Sequence, residues 1–113
     1  MRQNMLDYNL YFRNILEAIE KIERTCRNKD SLEDGDIWDM TLMRLQIIGE
    51  NSVMIPQEIK NKSPEIKWEN IRKLRNIISH KYEKIDKELI WKFIEKKMPE
   101  LKNSILKMKK ELK

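Results

Sequence analysis

The chain has 113 residues, one cysteine, one histidine, two glycines, three prolines and a formal net charge of +5. This length suits a single domain over residues 1–113, and so little glycine and proline argues against an all-β fold with its many turns. The lone cysteine excludes an intrachain disulfide, and one cysteine with one histidine excludes a structural zinc site within the chain.

A first amphipathic helix is predicted over about residues 5–28. Its apolar residues recur at intervals of three and four, which is typical of one face of a helix: Tyr8, Tyr11, Ile15, Ile19, Ile22 and Cys26. The turn formers NKDSLEDGD follow, and Asp36 is predicted to cap the next helix, with Asp39 in its first turn.

A second helix is predicted over about residues 37–54, and it is apolar on more than one side. Its apolar residues are Trp38, Met40, Leu42, Met43, Leu45, Ile47, Ile48 and Val53. Neighbouring helices or a partner chain must cover so broad an apolar surface. Pro56 ends this helix, and PQEIKNK is compatible with a short fifth helix before Ser63-Pro64, a helix-start signature.

The third predicted helix, about residues 67–80, contains the single histidine. Ile71, Leu74 and Ile78 form its apolar stripe, and Arg75 lies at the edge of that stripe. The remaining polar residues fall on the other side: Arg72, Asn76, Ser79 and His80.

A fourth helix is predicted to begin after Asp86 as its cap. Its apolar residues are spaced 4-4-3-4-3-4: Ile90, Ile94, Met98, Leu101, Ile105, Met108 and Leu112. Pro99 lies within this run and should bend or divide it, because proline has no amide donor and clashes with the preceding turn. The pattern predicts an all-α, antiparallel bundle of four main helices.

The positive charge is concentrated near the C-terminus and around the histidine. Residues 81–113 carry 11 basic and 6 acidic side chains, whereas residues 1–80 carry 13 of each. We read the C-terminal lysines as a solvated helix face, and Arg72, Lys73 and Lys81 as candidate RNA contacts. No apolar run could span a bilayer and residues 1–25 lack the order of a signal peptide, so we expect a cytoplasmic protein with no membrane association.

Arg75 and His80 form the strongest candidate site. Arginine presents a planar fork of donors that matches phosphate oxygens, and imidazole accepts or donates a proton near neutral pH. These groups suit metal-independent cleavage of RNA, in which a base takes the ribose 2′-hydroxyl proton and arginine stabilises charge at phosphorus. We expect no cofactor, and Asn76 and Ser79 are supporting candidates.

Helical geometry separates the two catalytic candidates within one chain. Residues five apart on an unbroken helix point about 140° away from each other, so Arg75 and His80 cannot meet unless the helix ends or bends between them. Asn76, four residues before His80, could orient the imidazole by a hydrogen bond. A two-fold homodimer with the third helices facing each other would bring two arginines and two histidines into one cleft.

Longer stretches of the sequence resemble one family nearly from end to end. They are LMRLQIIGEN (42–51), SPEIKWENIRKLRNIISHKY (63–82), IDKELIWKFI (85–94) and MPELKNSI (98–105). With Arg75-Asn76, His80-x-Tyr82, Ile85-Asp86 and Trp91 as the matching core, the chain resembles the HepT-like toxins of the HEPN superfamily.

This resemblance implies a dimeric HEPN bundle and a function. The protein would be the toxin of a type VII-like HEPN/MNT toxin–antitoxin system, a ribonuclease with an Arg-x4-His motif formed by Arg75 and His80. Its partner would be a minimal nucleotidyltransferase antitoxin, which uses ATP to add AMP to the tyrosine that Tyr82 matches. A bulky anionic group beside Arg75 would occupy the place of an RNA phosphate.

The sequence leaves other interpretations open. A helical subunit that only docks a nucleotidyltransferase, and an RNA binder without chemistry, are the two alternatives to an enzyme. Gly49 permits close helix approach, and Glu50 could reach the basic motif, although an ordinary ion pair is the favoured reading. Arg44 is a candidate cleft residue for which a structural role is the favoured reading, and all three tryptophans are assigned to core or interface packing.

Overall fold

The computed structural model describes residues 2–80 and 84–112, with side chains from residue 8 onward. Within these ranges all regular structure is helical: α1 (Arg2–Thr25), α2 (Gly35–Met54), α3 (Gln57–Lys60), α4 (Trp68–His80), α5 (Lys87–Lys92) and α6 (Met98–Glu111). The predicted all-α bundle is confirmed, with α3 as the short extra helix and α5 and α6 together as the fourth main one. None of the described helices is both long and apolar enough to cross a bilayer.

The connection from α1 to α2 is built from two side-chain caps. Asn28 caps a 3-10 turn (Lys29–Glu33) in a reciprocal arrangement with Ser31, and this turn ends α1 at Thr25 rather than at residue 28. Asp34, and not Asp36, caps α2: its Oδ1 accepts hydrogen bonds from the amides of Asp36 (2.9 Å) and Ile37 (3.1 Å). The prediction of Asp36 as the cap is wrong because α2 begins at Gly35, two residues earlier than predicted.

Helix α2 lies between α1 and α4 and packs against both. The short connection makes α1 and α2 antiparallel, and Asn14 Nδ2 donates to Asn51 Oδ1 across them at 3.0 Å. The largest fully buried side chains come from several elements: Phe12, Ile15, Ile19, Ile22, Leu32, Leu42, Leu45, Ile48, Ile59, Ile90, Met98 and Leu101. Each such side chain stabilises the fold by about 1.5–3 kcal/mol relative to its exposed state. Helix α4 adds the buried Ile71, Leu74 and Ile78 to the same core, which holds α4 against α2.

The segment between α3 and α4 is a turn that anchors itself before the next helix starts. The amide of Ile66 donates to the carbonyl of Ser63 at 3.1 Å, and both residues are buried. Pro64 therefore sits within this turn, and reading Ser63-Pro64 as a helix start is wrong. Ile66 packs into the core two residues before α4 begins at Trp68.

Pro99 divides the last helical run through a wide turn. A π-helical segment, Phe93–Lys97, joins α5 to α6, and the amide of Met98 donates to the carbonyl of Phe93, five residues back. Eight residues of regular α-helix overshoot two turns by about 80°, so the 4-4 spacing of Ile90, Ile94 and Met98 needs a wider turn to keep one face. The π turn supplies it, and all three side chains are buried.

Candidate functional site

The position of Arg75 on α4 is fixed by a glycine on α2. A Cβ atom added to Gly49 would lie 2.4 Å from Arg75 Cβ and 2.6 Å from its Cγ, closer than real carbon atoms approach. Only glycine allows the two helices to meet here, as the sequence predicted for Gly49. The stem of Arg75 is thus wedged against the α2 backbone.

The guanidinium of Arg75 turns toward the outer edge of the α2–α4 contact. Its Nη1 donates to Glu50 Oε1 at 3.2 Å, and the Arg75 side chain is 24% exposed. Its Nε is buried and has no hydrogen-bond partner among the described residues. One of the five guanidinium N–H donors is therefore engaged by Glu50, and others remain for a ligand.

One turn further along, a second polar link joins α2 to α4. Gln46 Nε2 donates to Ser79 Oγ at 3.2 Å on the exposed surface. Gln46 was missed by sequence reasoning, although it precedes Gly49 and Glu50 by three and four residues and so shares their side of α2. Ser79 and Arg75, four residues apart, accordingly both face α2.

His80 is the last residue of α4 and is exposed. Helix α4 runs unbroken from Trp68, so Arg75 and His80 are about 7.5 Å apart along the axis and point about 140° apart. The structure does not bring these two side chains together within one chain. Asn76 is half-buried, and within the described residues no hydrogen bond joins it to His80, so its orienting role stays a prediction.

The remaining candidate residues divide between the surface and the part of the chain that is not described. Arg72 and Lys73 are exposed, and Arg72 forms an ion pair with Glu69 that raises the pKa of Arg72 and lowers the pKa of Glu69. Tyr82 and Lys81, predicted as the modified tyrosine and an RNA contact, lie outside the described residues.

The outward face of α2 carries exposed apolar side chains beside the site. Met43 and Met54 are exposed and Ile47 is half-buried, and their spacing of four and seven places them on one face of α2, opposite the core residue Leu45. We call this set the α2 stripe. Glu50 lies at its edge, so the stripe and the Arg75 guanidinium belong to one surface.

The three tryptophans assigned to packing behave as expected. Trp38, Trp68 and Trp91 are each partly buried against the core. Arg44 is half-buried on α2, and its Nε is buried without a hydrogen-bond partner in the described part of the chain.

A wider groove of about 550 Å³ lies on the other flank of α4. Its floor is apolar, with Leu74, Ile77, Leu89 and Phe93, and it includes neither Arg75 nor His80. The size of a cavity is therefore a poor guide to the candidate site here, which is an open surface.

Comparison with known proteins identifies the family. A family model described as "Ribonuclease HepT-like" matches residues 15–108, which include the whole α2–α4 surface. No solved structure matches the chain.

Curated relatives cover most of the chain. A "Probable ribonuclease HepT" of Thermococcus cleftensis is 35% identical, over 88% of this chain and 94% of its own length. A "Putative RNase" of Methanocaldococcus jannaschii is 39% identical over the same shares. A "Gamma-glutamylcyclotransferase and putative RNase" of M. jannaschii is 35% identical over 94% of this chain, which spans only 49% of that longer protein.

The family match, the relatives and the all-helical bundle with its Arg-x4-His motif on α4 agree with one another. The chain belongs to the HepT-like ribonuclease family.

Proposed function

We propose that this protein is a toxin ribonuclease that cuts RNA without a metal ion, with Arg75 and His80 as its catalytic residues. The observation that carries this proposal is the exposure of His80 at the end of α4, on the helix that holds the partly exposed side chain of Arg75. A histidine buried in the core could not exchange protons with a substrate, whereas this imidazole is open to one.

The chemistry assigns a separate task to each side chain. Neutral His80 accepts the proton of the ribose 2′-hydroxyl while its oxygen forms a bond to the adjacent phosphorus. The bond from phosphorus to the 5′-oxygen breaks, and that leaving oxygen takes a proton from a second imidazole. Arg75 stabilises the extra negative charge on the phosphoryl oxygens, leaving a 2′,3′-cyclic phosphate and a 5′-hydroxyl as products.

This scheme needs a second histidine, which a two-fold homodimer would provide. Three features support dimerisation through the α2–α4 surface: the α2 stripe is exposed, it adjoins the guanidinium of Arg75, and α2 is apolar on more than one side. A two-fold axis there would place two copies of Arg75 and His80 along one cleft.

The same scheme includes control by a nucleotidyltransferase partner. We propose that this antitoxin transfers AMP from ATP to Tyr82, forming a phosphodiester at the phenolic oxygen and releasing pyrophosphate. Tyr82 follows the exposed end of α4 by two residues, so an added anionic group would lie close to the site meant for RNA phosphate.

Cleavage of RNA by the purified chain, with and without a chelator such as EDTA, tests the enzymatic part. We expect scission in both conditions, with its loss in Arg75→Gln and His80→Ala chains whose helical circular dichroism is unchanged. Arg13→Gln, which removes an exposed arginine on α1, is the matched control and should cleave normally. No scission by the unmodified chain would favour a binding subunit for a nucleotidyltransferase.

Intact-mass measurement after incubation with a cognate nucleotidyltransferase and ATP tests the control step. We expect the mass of one or more adenylyl groups on the unmodified chain and none on Tyr82→Phe. A Tyr82→Phe chain that still gains this mass would remove the assignment.

A further inference from the structure

A small polar concavity lies where α2 and α3 meet α4, on the same flank of α4 as Arg75. It has a volume of about 130 Å³, and Ser52, Lys60, Trp68, Glu69 and Arg72 are among its lining residues. Arg72 precedes Arg75 by three residues, a rise of about 4.5 Å along the helix. The concavity thus lies within one helical turn of Arg75.

Two cations share this small space. Lys60 is half-buried, and its burial together with the guanidinium of Arg72 lowers the pKa of the Lys60 ammonium. Glu69 opposes this effect but is already paired with Arg72. An anion placed between Lys60 and Arg72 would offset the desolvation of the Lys60 ammonium and its repulsion by the Arg72 guanidinium.

The position of Lys60 is fixed by its neighbour Trp68. The indole N–H of Trp68 donates to the Lys60 carbonyl at 3.3 Å, and the Lys60 ammonium lies 5.8 Å from the centre of the indole ring. The ammonium is thus held at the concavity rather than swinging freely in solvent.

Ser52 supplies an unused polar group at the same place. Its side chain is 2% exposed, and its Oγ has no hydrogen-bond partner in the described part of the chain. A buried hydroxyl without a partner costs about 1–3 kcal/mol, and a phosphate oxygen in the concavity would accept the hydrogen bond that Ser52 does not make.

We propose that Ser52, Lys60 and Arg72 form a subsite for a phosphate group of the RNA strand that adjoins the scissile phosphate at Arg75. This inference rests on the proposed ribonuclease function. Sites for drug-sized ligands span about 300–1,000 Å³, so a space of this volume takes one phosphate and leaves its ribose and base outside. Its place on the Arg75 flank fits a phosphate within a strand rather than a free ion.

RNA binding by a His80→Ala chain, which cannot cleave, tests this subsite without turnover. In fluorescence anisotropy with a single-stranded RNA, Lys60→Gln should weaken binding up to about fivefold, the effect of an exposed ion pair. It should also reduce the salt slope by about 0.7, the value for one phosphate contact on a single strand. Lys62→Gln is the matched control, because Lys62 is exposed, carries the same charge and does not line the concavity.

Ser52→Ala provides an independent check that distinguishes phosphate binding by Ser52 from a purely structural role. Since Ser52 Oγ has no hydrogen-bond partner among the described residues, its removal should leave the urea unfolding midpoint unchanged or raised while RNA binding weakens. In the active chain, Lys60→Gln and Ser52→Ala should raise KM with little change in kcat. A fall in stability together with unchanged RNA affinity would overturn the role of Ser52.

The outcomes separate this inference from the function on which it rests. If the chain cleaves RNA and Lys60→Gln and Lys62→Gln behave alike, the subsite is overturned and the ribonuclease stands. If the unmodified chain neither binds nor cuts RNA, the function fails and the subsite fails with it. Inorganic phosphate that shifts the Trp68 indole N–H resonance, with no effect of Lys60→Gln on RNA affinity, would indicate a free-anion site and overturn the proposal.

Discussion

The contact between Gly49 and Arg75 determines both how closely α2 packs against α4 and where the arginine of the candidate site lies. A hydrogen at the Gly49 Cα lets the α4 backbone approach α2, and the approach places the arginine stem. Sequence reasoning identified both residues, and it anticipated that Gly49 allows close approach. The sequence did not predict that Arg75 is the residue in contact with Gly49. That pairing depends on the axial offset between the two packed helices, which no local pattern determines.

Replacing Gly49 should therefore disturb both stability and activity. Gly49→Ala forces the helices apart, and we expect a loss of about 1–3 kcal/mol of unfolding free energy, as for other overpacked cores, with reduced RNA cleavage. Urea unfolding measures the first effect. Gly35→Ala is the control, because a Cβ there meets nothing within 4 Å and alanine favours helix. Equal stability of the two variants would contradict this account.

If Arg75 binds RNA phosphate as proposed, Glu50 competes with that phosphate for the guanidinium, because it already pairs with Arg75. Glu50→Gln keeps a hydrogen-bond acceptor for Nη1 but removes the charge that competes with RNA. We expect RNA binding by the His80→Ala chain to tighten by up to about fivefold, the scale of an exposed ion pair. Fluorescence anisotropy measures this change, with the exposed Glu58→Gln on α3 as the control. Weaker binding in Glu50→Gln would show that the carboxylate helps to hold the arginine in place instead.

At the scale of elements, periodicity predicted the helices well and their ends less well. The spacing of three and four placed α1, α2 and α4 within a few residues of their observed bounds, because a buried stripe must follow the helical repeat. The ends depend on single side chains: Asp34 and Asp36 are chemically equal caps in the sequence. Only the start of α2 at Gly35 decides between them.

The turn before α4 is tied to α6 by one hydrogen bond that responds to pH. Ser104 Oγ donates to Glu65 Oε2 at 2.7 Å, and this bond is the main cause that lowers the pKa of Glu65. A lowered carboxyl pKa stabilises the folded state above the ordinary pKa of the group, and that contribution is lost as pH falls through the folded pKa.

Ser104→Ala should consequently reduce stability at pH 7, and this loss should shrink as the pH falls through the lowered pKa of Glu65 in the unmodified chain. The pKa of Glu65 should move up toward its ordinary value in Ser104→Ala, which carboxyl NMR titration measures alongside a series of urea unfolding curves from neutral to acidic pH. Asn103→Ala, an exposed neighbour on α6, is the control and should show no such pH dependence. A pH-independent loss in Ser104→Ala would mean that packing, and not the hydrogen bond, is responsible.

For the whole molecule, the sequence indicated that α2 was too apolar for a helix at a solvent-facing surface. The structure locates the excess on the α2 stripe, and the candidate site lies at its edge. Since Arg75 and His80 diverge on one helix, a single chain offers half of the proposed cleft. No pattern along one sequence fixes how two copies meet, because that geometry depends on side chains from both.

A charged side chain in the α2 stripe should dissociate the proposed homodimer and abolish RNA cleavage. Met43→Glu is expected to halve the sedimenting mass and abolish RNA cleavage while circular dichroism stays helical, because Met43 is already 49% exposed in one chain. Leu106→Glu is the control: Leu106 is 47% exposed on α6, and its change should leave mass and cleavage intact. A Met43→Glu chain that stays dimeric would place the interface elsewhere.

The π turn ahead of Pro99 accommodates one residue more than a regular helix would hold between Ile90 and Met98 on one face. Glu95 is exposed, and other polar side chains should serve equally well there. Deleting Glu95 would change the spacing of the three buried residues from 4-4 to 4-3, and seven residues of regular α-helix fall only about 20° short of two turns. The same face of α6 would stay buried, so this stretch should tolerate the loss of one residue during divergence, with an ordinary α turn in place of the π turn.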